Sequence, residues 1–558
     1  MELSCIARKV HWERVNLYID FEVSPLPYSD LPYRYLGHQH IVWSEDLDGI
    51  EFHLQTDEET YVLKVIPGKA PNSYQLALNV TNFSQRQEIP NGTWRIFPVM
   101  NGQQGLPMTI EPEQAQYLSQ WSKAFMFDRN RQSYLVSFDL SDDDERPDFV
   151  IRTYHYTAVS IRNRTSQIRR ILSRVRASNC WRLLQLWYNF CRLIPHSRPR
   201  VLFAAQQRSK LEGNLLQVHN RMVERQLDKT FKLRKWTDLR NNDVADRVLS
   251  RLRLARMMAT SDIVFLDDYC RLLDFIDLNP KTILVQLWHA GYGFKAVGFS
   301  RFGRYGSPVL ESGHRKYTYA ICGSTKLQSI YGEVFGIEEE AVLATGLPRI
   351  DSFLDAQRMM EVREEFYVKY PNLTNKQVVV FAPTFRGKNR NDAHYDYSMI
   401  DFEALFDWCG DERVVLFRMH PFIQEAPPIK IDHQDRLYNF ASYPSTNDLL
   451  YVADVLVTDY SSVVYEYSLL NRPILFYAYD EKAYQTTRGF HGDFRELAPG
   501  KICNTFAELL KALSEQDYEF EKVADYRDKY FDFIDTGSTD RVIDQIVVAS
   551  QQDINQSR

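Results

Sequence analysis

The run Val455-Leu456-Val457-Thr458-Asp459-Tyr460-Ser461-Ser462-Val463-Val464-Tyr465-Glu466-Tyr467-Ser468-Leu469-Leu470 decides the fold class. Its first three residues are apolar and end at a polar pentapeptide, which predicts a short buried strand; the residues from Val463 on predict a helix. Strand, loop and helix in that order make one βα unit. Ser461 and Ser462 stand at the mouth of the helix, where hydroxyl oxygens cap backbone N–H groups and the helix dipole favours negative charge. That composition suits a phosphate or pyrophosphate. The plainer alternative is N-capping by Ser461 alone.

The same rhythm extends in both directions. Upstream, the apolar runs Val201 to Ala205, Ile263 to Leu266 and Thr282 to Leu287 alternate with helical stretches such as Asp243 to Ala259. A second series, beginning near residue 320, places strands at Val342-Leu343-Ala344, Val378-Val379-Val380-Phe381, Val414-Val415-Leu416-Phe417, Val455-Leu456-Val457 and Ile474-Leu475-Phe476. Two Rossmann-type halves facing each other across a cleft are the economical α/β arrangement, with ligands beyond the carboxyl ends of the strands. Residues 1–155 differ. Runs such as Val15 to Phe21, Tyr61 to Val65 and Tyr134 to Phe138 alternate in character and are separated by turns such as Asn91-Gly92, which predicts a small all-β sandwich or barrel. The expected domains are therefore 1–155, a linker over 156–199, a first Rossmann-like domain over 200–318 and a second over 319–550.

A chain of 558 residues with 44% hydrophobic and 25% charged residues has enough apolar surface for several cores. Its net charge of -6 gives no global bias toward nucleic acid, and none is expected as a partner. Seven scattered cysteines without a CxxC pair read as reduced thiols, neither disulfides nor zinc ligands. With no basic leader and no apolar run of about 18 residues, the expectation is a protein neither exported nor membrane-spanning. The acidic run Asp142 to Glu145 reads as a solvated loop.

One segment departs from this average. Between Ile151 and Leu211 there is no carboxylate, while Arg169, Arg170, Arg174 and Arg176 lie among thirteen basic residues. Trp181 to Phe190 adds aromatics and aliphatics, the composition of a helix lying in a headgroup layer; the alternative is a linker helix packed on its neighbours.

Two histidines end apolar strands, His289 in Gln286-Leu287-Trp288-His289-Ala290-Gly291 and His420 in Arg418-Met419-His420-Pro421. Histidine takes a proton from a hydroxyl near neutral pH, and as a donor it stabilises charge on a phosphoryl group. Basic residues gather at the same edges: Lys295, Arg386 and Lys388 after Ala382-Pro383-Thr384-Phe385, Arg418, and Arg488 in Thr487-Arg488-Gly489-Phe490. Together they describe a cleft for an anionic substrate.

Seven motifs then occur in one order: Trp288-His289, Thr345-Gly346-Leu347-Pro348-Arg349-Ile350-Asp351, Ala382 to Arg386, Arg418-Met419-His420, Thr458 to Ser462, Arg472-Pro473-Ile474-Leu475-Phe476-Tyr477 and Arg488-Gly489-Phe490. In this order they resemble the CDP-glycerol glycerophosphotransferase family, the teichoic acid primases and polymerases. The resemblance implies a GT-B fold, a peripheral place at the cytoplasmic face of a bacterial membrane with an anionic surface as partner, and transfer of glycerol or ribitol phosphate from CDP-glycerol or CDP-ribitol to a lipid-linked polymer acceptor. It implies His289 as the base on the acceptor hydroxyl, with Lys295 on that acceptor side. On the donor side it implies His420, Ser461 and Ser462 at the pyrophosphate, with Thr458, Asp459, Thr384, Arg386, Arg418 and Arg488 around them and Glu466 facing ribose or alditol. The hydroxyl attacks the β-phosphate and CMP leaves. Trp288-His289-Ala290, where many members read Trp-His-Gly-Thr, together with Phe294-Lys295, is closer to the ribitol-phosphate branch.

Phosphoryl transfer needs positioning and charge offset, so no cofactor is required and no fixed metal is expected; Mg2+ would serve only as a counterion of the donor. The competing readings are a GT-B glycosyltransferase using a nucleotide sugar and a non-catalytic polymer-binding protein.

Overall fold

The computed structural model describes residues 2–26, 49–128, 132–141, 147–157, 181–206, 208–237, 244–303, 307–387, 390, 392–488, 490–551 and 554. Arg169, Arg170, Arg174, Arg176, Lys388, Gly489 and the acidic run at 142–145 lie outside the described residues, as does the side chain of Arg488.

The described chain forms two compact units. The first holds a five-stranded and a seven-stranded sheet, built mainly from antiparallel strands between Glu2 and Thr157. Alternation does what it should: along Gln132–Leu140 the buried residues are Tyr134, Val136 and Phe138. Two later pieces, Val297–Arg315 and Glu333–Ile337, belong to this unit although they lie inside the α/β stretch of sequence. Phe299, Phe302 and Leu310 join its core. Arg14 pairs with Glu333 at 2.7 Å, and the buried Arg315 donates to the carbonyls of Thr81 and Arg86.

The second unit carries two six-stranded parallel sheets, so the mixed α/β class holds. The first runs, in order, Lys232–Thr237, Arg200–Ala205, Ile263–Leu266, Ile283–Gln286, Tyr319–Ile321 and Val342–Leu343. The second runs Leu437–Asn439, Arg413–Phe417, Gln377–Phe381, Val455–Thr458, Ile474–Tyr477 and Lys501–Cys503. Strands such as Ile263–Leu266 and Val455–Thr458 are buried throughout, as parallel strands covered on both faces must be.

The expected boundary at 318/319 is corrected by this topology. Tyr319–Ile321 and Val342–Leu343 continue the first sheet, through the pairs Val285↔Tyr319 and Ala320↔Val342, and the second sheet starts only at Gln377. Strands of two or three residues carry no periodicity, so sequence cannot assign them to a sheet. The span 319–550 is divided at its other end too. Asp532 N–H bonds Gly323 O, Ser538 and Thr539 N–H bond the Asp351 carboxylate at 3.0 and 2.7 Å, and Arg221 pairs with Asp540 at 2.8 Å. The last segment thus packs beside the first sheet.

The basic segment enters the described structure as a helix over 181–192. Trp181 stacks on Phe275 and the Trp187 indole donates to Leu252 O, so both tryptophans face protein. The residues that point outward are Leu183, Leu186, Phe190 and Leu193, each more than 60% exposed.

Candidate active site

Residues just past the carboxyl ends of strands in both sheets converge through one loop. After Ile283–Gln286 the chain turns at Trp288, whose φ of 51° is a left-handed value for a bulky residue, a strain of about 1–3 kcal/mol that needs support. Support comes from Gln286, whose Oε1 accepts Trp288 N–H, and from Asn214, whose Nδ2 donates to Leu287 O and Trp288 O at 2.9 and 2.6 Å. The loop then lies on the helix Val463–Ser468: a Cβ at Gly291 would meet the Tyr465 ring at 2.2 Å, so only glycine permits this approach. Gly293 reaches Ser462, and Lys295 Nζ donates to Thr384 Oγ1 at 2.6 Å.

His289 sits at the start of this loop with 38% of its side chain exposed. Its Nδ1 lies 3.1 Å from Asp267 O. A carbonyl only accepts, so Nδ1 carries the proton and Nε2 holds the free lone pair. Burial pushes its pKa below the ordinary histidine value, opposed by the Asp268 carboxylate at 3.9 Å and by Asp267 O, while Arg349 and Arg208 lower it further. Asp267 is buried, and loss of hydration raises its carboxyl to about 6.

His420 is the mirror case. Its Nδ1 accepts from Phe422 N–H at 3.1 Å, so in the neutral ring Nε2 bears the proton and donates. Burial, then Lys295 and Arg418, push its pKa down to about 4. Lys295 therefore belongs with His420 and Thr384 on the second sheet, although His289 precedes it by six residues; the expected acceptor-side placement does not match this geometry.

Several residues expected at the donor turn out to build the frame. Arg386, 10% exposed, bonds Asp459 at 2.6 Å and Asp480 at 2.7 Å and lies amid Tyr395, Tyr460, Tyr479 and Tyr484, each ring 5.2–5.4 Å away. Asp459 Oδ1 also accepts from Thr384 N–H at 2.8 Å and Tyr460 N–H at 2.6 Å. Thr458 Oγ1 donates to Ala382 O at 2.7 Å. Arg418 turns inward to Thr446 Oγ1 and the carbonyls of Phe440 and Ala441. Glu466 is buried against Arg349. Arg386 with Asp459 and Asp480, and Glu466 with Arg349, are paired as charged groups this buried must be, whereas Arg418 meets a hydroxyl and carbonyls through Nε and Nη1, and burial lowers its pKa.

Ser461 and Ser462 remain half-buried at the loop, and their helix is only six residues long, so its dipole is small. Ser462 makes no side-chain cap, and Ser461 Oγ accepts from Val463 N–H only at 3.4 Å. The hydroxyls are little used by the fold.

Sequence reading missed Asn214, Asp267, Asp268 and Arg349 as parts of this edge. Asp267-Asp268 follows the strand Ile263–Leu266 directly, and Arg349 stands in a motif already quoted; both signals were legible. Asn214 carried none.

The family described as CDP-glycerol:poly(glycerophosphate) glycerophosphotransferase is matched by residues 186–548. The teichoic acid poly(ribitol-phosphate) polymerase of Bacillus spizizenii is 36% identical over 372 residues, 66% of this chain and 60% of that polymerase. The ribitol-phosphate polymerases TarK and TarL of Staphylococcus aureus are 37% and 29% identical, over 65% and 96% of this chain and 71% and 97% of theirs. The structure of the wall teichoic acid polymerase TagF shares the fold, with a TM-score of 0.53 at 19% identity over 70% of this chain and all of that one. Matched over well more than half its length, the chain belongs to the CDP-glycerol:poly(glycerophosphate) glycerophosphotransferase family.

Proposed function

We propose that this protein transfers an alditol phosphate, ribitol phosphate before glycerol phosphate, from a CDP-alditol to a hydroxyl of a lipid-linked teichoic-acid-type polymer and releases CMP. The observation that carries the chemistry is the complementary tautomers of two imidazoles: His289 presents a bare Nε2 and His420 an Nε2–H. Nε2 of His289 takes the proton of the acceptor hydroxyl, whose oxygen attacks the β-phosphorus. The P–O bond to the α-phosphate breaks and CMP departs with the electron pair. His420 Nε2–H and the Lys295 ammonium offset the charge on the phosphates, and the hydroxyls of Ser461 and Ser462 hold them. The ribitol preference is supported by the similarity to the ribitol-phosphate polymerases above and by Trp288-His289-Ala290.

The two parallel sheets serve as the halves of a GT-B enzyme, with the N-terminal sheets, joined by Val297–Arg315 and Glu333–Ile337, as a mainly β domain. The chemistry requires no resident metal: Asp459 and Asp480 are bound to Arg386, and Mg2+ would serve only as a counterion of the donor. The protein works at the cytoplasmic face of the membrane, held there by an anionic lipid surface. Leu183, Leu186, Phe190 and Leu193 beside Arg182 and Arg192 support that placement; Val248 and Leu249 on the neighbouring helix Val244–Ala259 are exposed as well.

The purified protein should release CMP from CDP-ribitol in the presence of a lipid-linked acceptor, and more slowly from CDP-glycerol. Release of UDP or GDP from a nucleotide sugar, with none of CMP from either alditol, would favour the glycosyltransferase reading instead.

A further inference from the structure

Arg349 follows the carboxyl end of Val342–Leu343, the last strand of the first sheet, and touches both sides of the site. It is the second residue of the helix Pro348–Phe353, whose N-cap residue, Leu347, has no side chain able to satisfy a backbone N–H. Asn214 does so from the helix Gly213–Glu224: its Oδ1 accepts Arg349 N–H at 2.9 Å, while its Nδ2 donates to Leu287 O and Trp288 O. One buried amide thus fixes the start of the Arg349 helix and the strained turn before His289. From there the guanidinium forks. Nη1 donates to the carbonyl of His289 itself, and Nη2 to Glu466 Oε1 on the helix that follows Ser461 and Ser462. With 14% and 9% of their side chains exposed, Arg349 and Glu466 are shielded from water, so their attraction is strong and each needs the other.

We propose, taking His289 as the base, that Arg349 is a positioning residue: it clamps the His289 backbone to the helix bearing Glu466, so that the base is held in register with the donor seat. A planar fork holds two acceptors in a fixed relative geometry through two separate nitrogens; an ammonium, a single rotatable nitrogen, does not fix them in this way. The charge has a second consequence for the imidazole. Groups facing His289 are Asp267 through its carbonyl, the Asp268 carboxylate, Arg208 and Arg349, and both cations disfavour imidazolium. Removing the Arg349 charge therefore raises the pKa of His289, so as pH falls the neutral base, and activity with it, is lost from a higher pH downward.

The test uses the full chain with CDP-ribitol and a lipid-linked acceptor, following CMP release across pH. Arg349→Gln is expected to lower kcat by about 10²-fold, the scale of a small misplacement of a catalytic group, with donor Kd by calorimetry within about threefold of wild type. Its acid limb should move to higher pH. Arg349→Lys should also lose rate but keep the wild-type limb, because the charge stays. In Arg349→Gln/Glu466→Gln the rate should fall no further than in Arg349→Gln, as for residues acting as a unit. Arg349→Gln with kcat within about twofold of wild type and an unmoved limb overturns the proposal. Should Arg349→Gln fail to fold by circular dichroism, Arg349→Lys at full rate overturns it equally. Absence of CMP release by the wild type strikes at the phosphotransferase reading instead, so the two failures are distinguishable.

Discussion

His289 Nδ1 is tied to the backbone carbonyl of Asp267 at 3.1 Å, and that single bond settles which ring nitrogen can accept a proton. His289→Ala should bind donor almost normally and lose about 10²-fold to 10⁴-fold in turnover, the usual worth of a positioned proton acceptor. CMP release at near wild-type rate, with saturating donor and acceptor, would remove His289 from the mechanism.

The pH profile follows from the same environment. Burial lowers the pKa of His289, so the neutral base persists below the ordinary histidine value of about 6.5, and the acid limb of kcat/KM should lie under it. In Asp268→Asn the carboxylate that favours imidazolium is gone, and the limb should move further down. An upward movement would contradict the assigned geometry.

His420→Ala should damage donor binding as well as rate, a defect different in kind from that of His289→Ala. With its pKa pushed down to about 4, His420 is a neutral donor through Nε2 over the working range. Donor affinity should therefore show no ionisation step near pH 6 in the wild type that disappears in His420→Ala. Calorimetry across pH 5 to 8 checks this.

Ser461→Ala/Ser462→Ala should weaken donor binding with the melting temperature nearly unchanged, since among the described residues the two hydroxyls make only one long bond, at 3.4 Å, to the fold. Arg386→Ala is the contrast. It leaves Asp459 buried and unpaired, and breaking a buried pair costs about 3–5 kcal/mol, so urea denaturation should show a large loss of stability. A stable Arg386→Ala protein defective only in donor binding would return this residue to the donor.

Leu186→Glu/Phe190→Glu should release the protein from anionic vesicles while leaving the helix over 181–192 in place. Both side chains are more than 60% exposed, and each contributes about 1.5–3 kcal/mol when buried in an apolar phase. Unchanged sedimentation with vesicles would assign this stripe to another use.

The sequence alone determined the α/β class, the strands long enough to show a run, and the loops that carry the chemistry. Those features are local: apolar runs ending at Asp459, His420 and His289 mark strand ends whatever the rest of the chain does. Ordered motifs also carried the family. What only the tertiary structure decided is which charged groups meet substrate and which meet one another. Arg386 and Arg418 read as phosphate ligands in sequence because a guanidinium has one chemistry; packing gave the first to Asp459 and Asp480 and the second to backbone carbonyls. Glu466 likewise went to Arg349, and the half-buried Trp181 and Trp187 to protein partners, Phe275 and Leu252 O. Partners separated by 73 residues, such as Asn214 and Leu287, leave no periodic trace, so their meeting becomes visible only when the chain is folded.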